Sequence, residues 1–336
     1  MKLFAFITKR ILYIFPTLLG LVILTFFLAR VVPADPVAVI AGENATREQI
    51  EELRHRYGFD RPLYIQLVFY LKQLATGDLG ESLYTGRDVI TDILWRTPAT
   101  IELTLAAMCI AIIVGIPLGV ISALKRNSWL DHLLRIFTIS GLSIAGFWLG
   151  IMLQLFFSMY LDIAPLGGRI GVDEPTYITG LYLLDSLLTW NWPAFFSALH
   201  HLFLPAITLA FPALATITRF TRSGVLDVIH RDFILYERSM GLPGFLIIAK
   251  YLLRNAVMST VTQIGLLFGS LLAGAVVIET VYDWPGLGLY AVSAILTFDY
   301  KPVLGVTLWA GAVYTIVNLL IDIVQGIIDP RIREFA

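Results

Sequence analysis

The sequence has 336 residues and a single cysteine, Cys109, set inside an apolar run, so no internal disulfide can close and no cysteine set can hold a metal. Charge is also scarce. Only 15% of residues are Asp, Glu, Lys or Arg, against roughly a quarter in an ordinary soluble domain. None of the six lysines follows a glycine, so there is no GxxxxGK[ST] loop to cradle phosphates, and the chain is not expected to hydrolyse ATP alone. No HExxH is present, and the five histidines are scattered. The adjacent His200 and His201 would point about 100° apart on a helix, which favours a membrane-interface role over metal ligation. Ser143, in GLSIAG, sits in an uncharged run of 26 residues that offers no base, so it reads as a packing or pore-lining hydroxyl rather than a nucleophile. Carboxylates are missing from the middle of the apolar runs. Glu102, Glu279 and Asp322 lie near run ends, which weighs against an ion-coupled secondary transporter, the rival of another class.

What the chain does have is hydrophobicity, at 57%. Uncharged runs cover Ile11 to Leu28, Leu103 to Leu124, Ile136 to Leu161, Leu202 to Thr218, Ala256 to Ile278 and Pro302 to Ile321. Each matches the roughly 20 residues a helix needs to cross about 30 Å of hydrocarbon. The fold expected is an all-α polytopic membrane protein with six transmembrane helices, since the alternation of a β-barrel is absent. Basic residues precede the first run, but it is long for a signal peptide and VVPADP is a poor cleavage site, so it is expected to stay as a span. Lys2, Lys9, Arg10, Lys125, Arg126, Arg135, the six cations from Arg219 to Arg254, Arg331 and Arg333 fall on one side of this scheme. The short loops of the other side hold only Arg169 and Lys301, which puts both termini in the cytoplasm.

The domain expectations are an N-terminal tail and first helix over 1–31, an extracytoplasmic segment over 32–98 and a core permease domain over 99–336. The core includes an outer loop over 160–200 and a cytoplasmic loop over 223–255. In the extracytoplasmic segment, Thr46-Arg47-Glu48-Gln49 reads as a capping box opening a helix through Arg56, ended by Gly58 and Pro62. A second amphipathic helix is expected from Leu63 to Ala75. Residues 179–201 are apolar but carry Asp185, Asn191 and Pro193, which predicts a helix lying at the outer surface with Trp190 and Trp192 at headgroup level. A conducting path should be roomy and modestly polar, and its candidate lining residues are Ser140, Ser143, Gln154, Thr262, Gln263, Ser270 and Glu279. Gly115/Gly119, Gly146/Gly150 and Gly265/Gly269 would permit close helix approach.

Seven stretches then fall into a familiar order: FITKRILYIFPTLLGLVILTFFLARVVPADP, GFDRPLYIQLVFYLKQLATGDLGESLYTGRDV, RTPATIELTLA, GIPLGVISALKRNSWLD, GLSIAGFWLG, ETVYDWPGLGLY and DPRIRE. Together they resemble the permease subunits of dipeptide, oligopeptide and nickel ABC transporters, from about residue 4 to 334. The resemblance implies a type I ABC importer of the bacterial inner membrane, with a homologous second permease chain as heterodimer partner, two cytoplasmic ATPase subunits and an extracytoplasmic solute-binding protein. It implies no nucleic acid, and no cofactor on this chain, since ATP and magnesium belong to the ATPases. Nickel, glutathione or another small solute is the alternative cargo.

The resemblance also maps a coupling helix, between the fourth and fifth spans, onto residues 232–255. Gly241 is the motif glycine, Leu235, Tyr236 and Glu237 stand at the EAA positions, and Asp232, Arg238 and Leu242 belong to the same element. Asp283, Trp284, Pro285 and Gly286 resemble the family's outer gate or scoop. Two departures stand out. Tyr236 and Glu237 replace small residues, and Pro243-Gly244-Phe245-Leu246-Ile247 replaces a polar, arginine-containing stretch, so the docking surface is bulkier and more apolar. In the third span Ala145-Gly146 stands where relatives often carry Pro-Ser, so the kink a proline would impose is not expected.

Overall fold

The computed structural model describes residues 2–31, 46–56, 60–82, 85–297 and 299–328. Gly58, the DPRIRE stretch and the VVPADP stretch beyond Val31 lie outside them. Among the described residues the secondary structure is helical, apart from one isolated bridge between Glu81 and Asp88. In chain order the helices are α1 (Lys2–Val31), α2 (Arg47–Arg56), α3 (Leu63–Ala75), α4 (Val89–Leu124), α5 (Trp129–Ser143), α6 (Gly146–Leu153, continued by a π-helical Gln154–Tyr160), α7 (Tyr182–Leu188), α8 (Trp192–Val228), α9 (Asp232–Ser239), α10 (Leu253–Val281), α11 (Leu287–Leu296) and α12 (Tyr300–Ile328). A short helical turn, Gly244–Leu246, and a π-helical Ile247–Leu252 lead into α10. Among the described residues four helices are long and apolar enough to cross a membrane, and five if the bent pair α5 and α6 forms one span.

The chain divides into two compact units. Where the sequence reading grouped 99–336 into one core, residues from Leu287 onward cluster with those before Pro98, and Pro98–Gly286 forms the other unit. In the first unit α1 packs along α12, with Leu21 against Gly311. The capping box forms at α2, Thr46 N–H donating to Gln49 Oε1 at 2.9 Å and Gln49 N–H to Thr46 Oγ1 at 3.3 Å. Pro62 precedes α3, its fixed φ of −55° suiting a helix start. Val89, Ile93, Leu287, Tyr290 and Val306 make an apolar core. The turn before α4 is held beside that core by two carboxylates: Ser82 Oγ donates to Asp299 at 2.7 Å, while Thr85 Oγ1 and Tyr290 OH donate to Asp92 at 2.6 and 3.0 Å.

The second unit is organised around α8. Its buried residues Leu202, Leu209, Ala210, Ala213, Leu214 and Ile217 recur at helical spacing and pack with Leu103, Ala107 and Ala111 of α4 and Leu271, Ala275 and Ile278 of α10. Close approach needs small residues. A Cβ at Gly115 would lie 2.9 Å from Ile217, at Gly119 2.6 Å from Thr221, and at Gly141 2.7 Å from Ala215.

Two expectations are corrected here. Residues 179–201 do not form one surface helix: α7 ends at Leu188, and α8 starts at Trp192, with Asn191 capping the Ala194 N–H at 3.2 Å and Pro193 in the first turn. Pro193 therefore opens the long helix, since a first-turn residue has no helical N–H bond to lose, and 192–201 belongs to α8. At its other end α8 runs on to Val228, within the stretch expected as the cytoplasmic loop.

The third uncharged run does bend without proline. α5 and α6 meet at 107°, with Ile144 and Ala145 extended. Gly141 packs α5 on Ala215 of α8, and Gly150 packs α6 on Thr208 of α8 as well as on Val281 and Tyr282, so each arm of the bend has its own seat.

Candidate coupling segment and outer turn

The segment between α8 and α10 is built around one helix end. α9 closes with Gly241 N–H donating to Arg238 O at 3.0 Å and Leu242 N–H to Glu237 O at 3.4 Å, with Gly241 at φ +74°. This is the Schellman arrangement, in which the residue after the helix must turn left-handed, so glycine is selected by geometry. Pro243, extended, then starts the next turn. Ile234 is the buried residue of α9 and joins Val120, Ala123, Val225, Ile247, Leu252 and Ala256 in an apolar cluster, with Leu242 packed against it.

The opposite face is uncovered. Leu235, Tyr236, Asp232, Arg238 and Gly241 are exposed, while Glu237 is half-buried. Phe233 and Met240, not singled out in the sequence, extend the same exposed apolar surface together with Phe245, which is 82% exposed. Phe233, Tyr236 and Met240 fall at i, i+3 and i+7, a stripe that was available in the sequence as bulky apolar residues among charges.

At the other end of the second unit, the turn after α10 is tightly held. Asp283 is exposed at φ +48°, and Trp284 is 1% exposed, its Nε1 donating to Ala99 O at 2.9 Å. Glu279, expected to line a path, is fully buried: Thr100 Oγ1 donates to it at 2.6 Å, and its carboxylate lies against Gly286. Gln154 is also a stitch, its Nε2 donating to Leu166 O at 2.7 Å and Val281 O at 3.0 Å. Gly168 N–H donates to Tyr282 O at 2.9 Å, so the loop before α7 and the turn are sewn together.

A buried ion pair absent from the sequence reading completes this region. Arg169 Nε donates to Glu102 Oε2 at 3.0 Å, and its Nη2 donates to the same oxygen and to Gly180 O. Its guanidinium lies 3.7 Å from the Tyr182 ring centroid and 5.8 Å from that of Trp284. Burial, with Glu174 beside it, pushes the Tyr182 phenol up to about 12, so the ring stays neutral beneath the cation. Asp185 accepts from the Ile178, Thr179 and Gly180 amides and the Thr179 hydroxyl. Burial raises its pKa, but these donors outweigh it and hold the carboxyl below its ordinary value.

The remaining candidates are not gathered into one site. Ser140 and Gln263 are half-buried, Thr262 is exposed, and Ser143 and Ser270 are exposed with their hydroxyls donating to Ile139 O and Leu267 O of their own helices. Pro285 is half-buried. Among the described residues no group of three His, Cys, Asp or Glu could hold a metal.

Two family models match the chain. Residues 115–334 match the binding-protein-dependent transport system inner membrane component, and residues 3–104 match the N-terminal part of such membrane components. The chain is 44% identical over 315 residues, 93% of each protein, to the probable D,D-dipeptide transport system permease protein DdpB of Escherichia coli K12. It is 41% identical over 334 residues, 98% of this chain and 99% of the relative, to the di/tripeptide transport system permease protein DppB of Pseudomonas aeruginosa UCBPP-PA14. It is 37% identical over 330 residues, 98% of this chain and 99% of the relative, to the dipeptide transport system permease protein DppB of Alkalihalophilus pseudofirmus. With models matching both halves of the sequence and relatives this similar over nearly their whole lengths, the chain belongs to the family of inner-membrane components of binding-protein-dependent transport systems.

Proposed function

We propose that this chain is the pore-forming permease subunit of an ATP-driven importer of di- and oligopeptides. The observation that carries the reading is full-length similarity to relatives named as dipeptide and di/tripeptide permeases. The chain itself is non-catalytic. It works with a second, homologous permease, two cytoplasmic ATPases that bind ATP and magnesium, and an extracytoplasmic binding protein.

In this reading α1, α4, the bent pair α5 and α6, α8, α10 and α12 are the six spans of a multi-pass inner-membrane protein with cytoplasmic termini, supported by the distribution of Lys and Arg. Residues from 32 to the start of α4 lie outside the cell membrane, and α9 lies inside. The exposed Leu235, Tyr236, Met240 and Phe245 form the face that docks on an ATPase, and Gly241 fixes the helix end that presents it. The turn at Asp283 to Gly286 serves as the outer gate, while Ser140, Ser143, Thr262, Gln263 and Ser270 are the residues proposed to face the path. Specificity rests with the binding protein, because tight binding in the path would slow release.

The test is uptake of a labelled dipeptide by vesicles holding the whole assembly. ATP on the ATPase side and the binding protein on the other should both be required, and Gly241 and Glu237 substitutions should lower uptake. Uptake without ATPases, driven by a proton gradient and abolished by a protonophore, would sink the reading.

A further inference from the structure

A second ion pair, with a fully buried carboxylate and a half-buried guanidinium, lies near the coupling segment, and the functional reading does not use it. Asp131, in the first turn of α5, is fully buried. Its Oδ1 accepts from Arg222 Nε of α8 at 2.9 Å and from Ser122 Oγ of α4 at 2.6 Å. Its Oδ2 accepts from Arg222 Nη2 at 3.0 Å and from the Asn127 N–H at 3.0 Å. One carboxylate thus joins three helices, and the two-pronged guanidinium contact fixes their angle as well as their distance.

The neighbourhood ties this joint to α9. Ile234 shares its apolar cluster with Val120 and Ala123, which flank Ser122 on α4, and with Val225, one helical turn beyond Arg222 on α8. Between the two groups the backbones touch: a Cβ at Gly119 would strike Thr221 and Thr218 O, and Thr221 Oγ1 meets Thr260 Oγ1 of α10 at 3.2 Å. Displacing Ile234 therefore moves the turns of α4 and α8 that grip Asp131. The other α5–α8 contacts described, Phe137 against Phe211 and Gly141 against Ala215, are apolar or between small residues and slide more readily. Stability alone does not explain the pair, because replacing a buried ion pair by apolar residues is often neutral or favourable.

We propose that Asp131 and Arg222 are positioning residues for coupled transport: they lock the start of α5 to α4 and α8, so that motion of α9 carries the bent third span with it. The inference rests on the reading of α9 as the ATPase-docking element. Arg222→Lys keeps the charge and loses the fork, and Asp131→Asn combined with Arg222→Gln removes both charges of the pair, leaving Arg135, whose Nε lies 3.8 Å from Asp131 Oδ2, with its side chain 43% exposed.

Both variants are made in the whole assembly in vesicles with binding protein and a dipeptide, and ATP hydrolysis and uptake are measured together, with a Gly241→Val variant alongside. Hydrolysis should persist in the Arg222 and double variants while dipeptide taken up per ATP falls at least about fivefold, the lower end of typical coupling effects. The Gly241 variant should lose stimulated hydrolysis and uptake together. If the Arg222 and double variants keep the wild-type uptake per ATP, or lose hydrolysis and uptake in equal proportion, the pair is only structural and the inference fails. If the Gly241 variant behaves as wild type, the reading of α9 fails instead.

Discussion

Gly286→Ala places one methyl group where the structure has no room for it. The new Cβ would overlap the carboxylate of Glu279, which is fully buried and accepts from Thr100 at 2.6 Å. Two responses are open. Glu279 can swing away and strain the Thr100 bond, a charge-assisted contact worth about 1.5–3 kcal/mol. Alternatively the turn can move and pull Trp284 from Ala99 O, forfeiting about 0.5–1.5 kcal/mol together with indole packing. Overpacking in a filled interior costs about 1–3 kcal/mol by itself, so a loss of roughly 2–4 kcal/mol is expected. At about 2–4 °C per kcal/mol, thermal unfolding of the purified assembly should fall by roughly 4–16 °C.

The cause is isolated by a second change. Glu279→Ala destabilises on its own, since it removes the Thr100–Glu279 hydrogen bond and opens a cavity. It also makes room for the methyl, so adding Gly286→Ala to it should cost almost nothing. Additive losses in this cycle, or a Gly286→Ala protein with unchanged unfolding, would refute the steric argument.

Arg169→Met should cost about 3–5 kcal/mol by stranding Glu102 in a buried site, and adding Glu102→Leu should recover most of it; equal unfolding temperatures for the single and double variants would count against this. At Asp185 the folded pKa lies below the ordinary value, so the stabilisation is present above about pH 4 and is lost as pH falls through the folded pKa. Hydrogen-exchange protection factors of the Ile178, Thr179 and Gly180 amides should hold from neutral pH to about 4 and drop below it; protection maintained at strongly acid pH would contradict the assignment. At Gly241, a non-glycine residue pays about 1–2 kcal/mol for the left-handed backbone, with asparagine the mildest. Uptake should therefore rank Gly, Asn, Ala, Val, and a flat series would remove the helix-end argument.

Several local elements were legible because their causes are local. Thr46 and Gln49 cap α2 across three residues, Pro62 precedes α3, and Gly241 ends α9 by a rule that involves only its own turn. The joints were not legible. Glu102 and Arg169 are 67 residues apart, and Asp131 and Arg222 are 91 apart. A carboxylate near the end of an apolar run looks the same in sequence whether it faces a path or an arginine. Glu279 shows the consequence: its position suggested a lining residue, and packing against Gly286 buried it.

The sequence by itself determined that this is a membrane protein of long apolar helices and which family it belongs to, because hydropathy and motif order are properties of the chain alone. Only the tertiary structure decided where those helices bend and what their few buried charges touch. The third run bends at Ile144 and Ala145 without a proline, its arms seated through Gly141 on Ala215 and through Gly150 on Thr208, Val281 and Tyr282. Arg169, in the loop before α7, and Arg222 of α8 find their carboxylates only once segments distant in sequence are packed together, since desolvation makes an unpaired buried carboxylate too costly to keep.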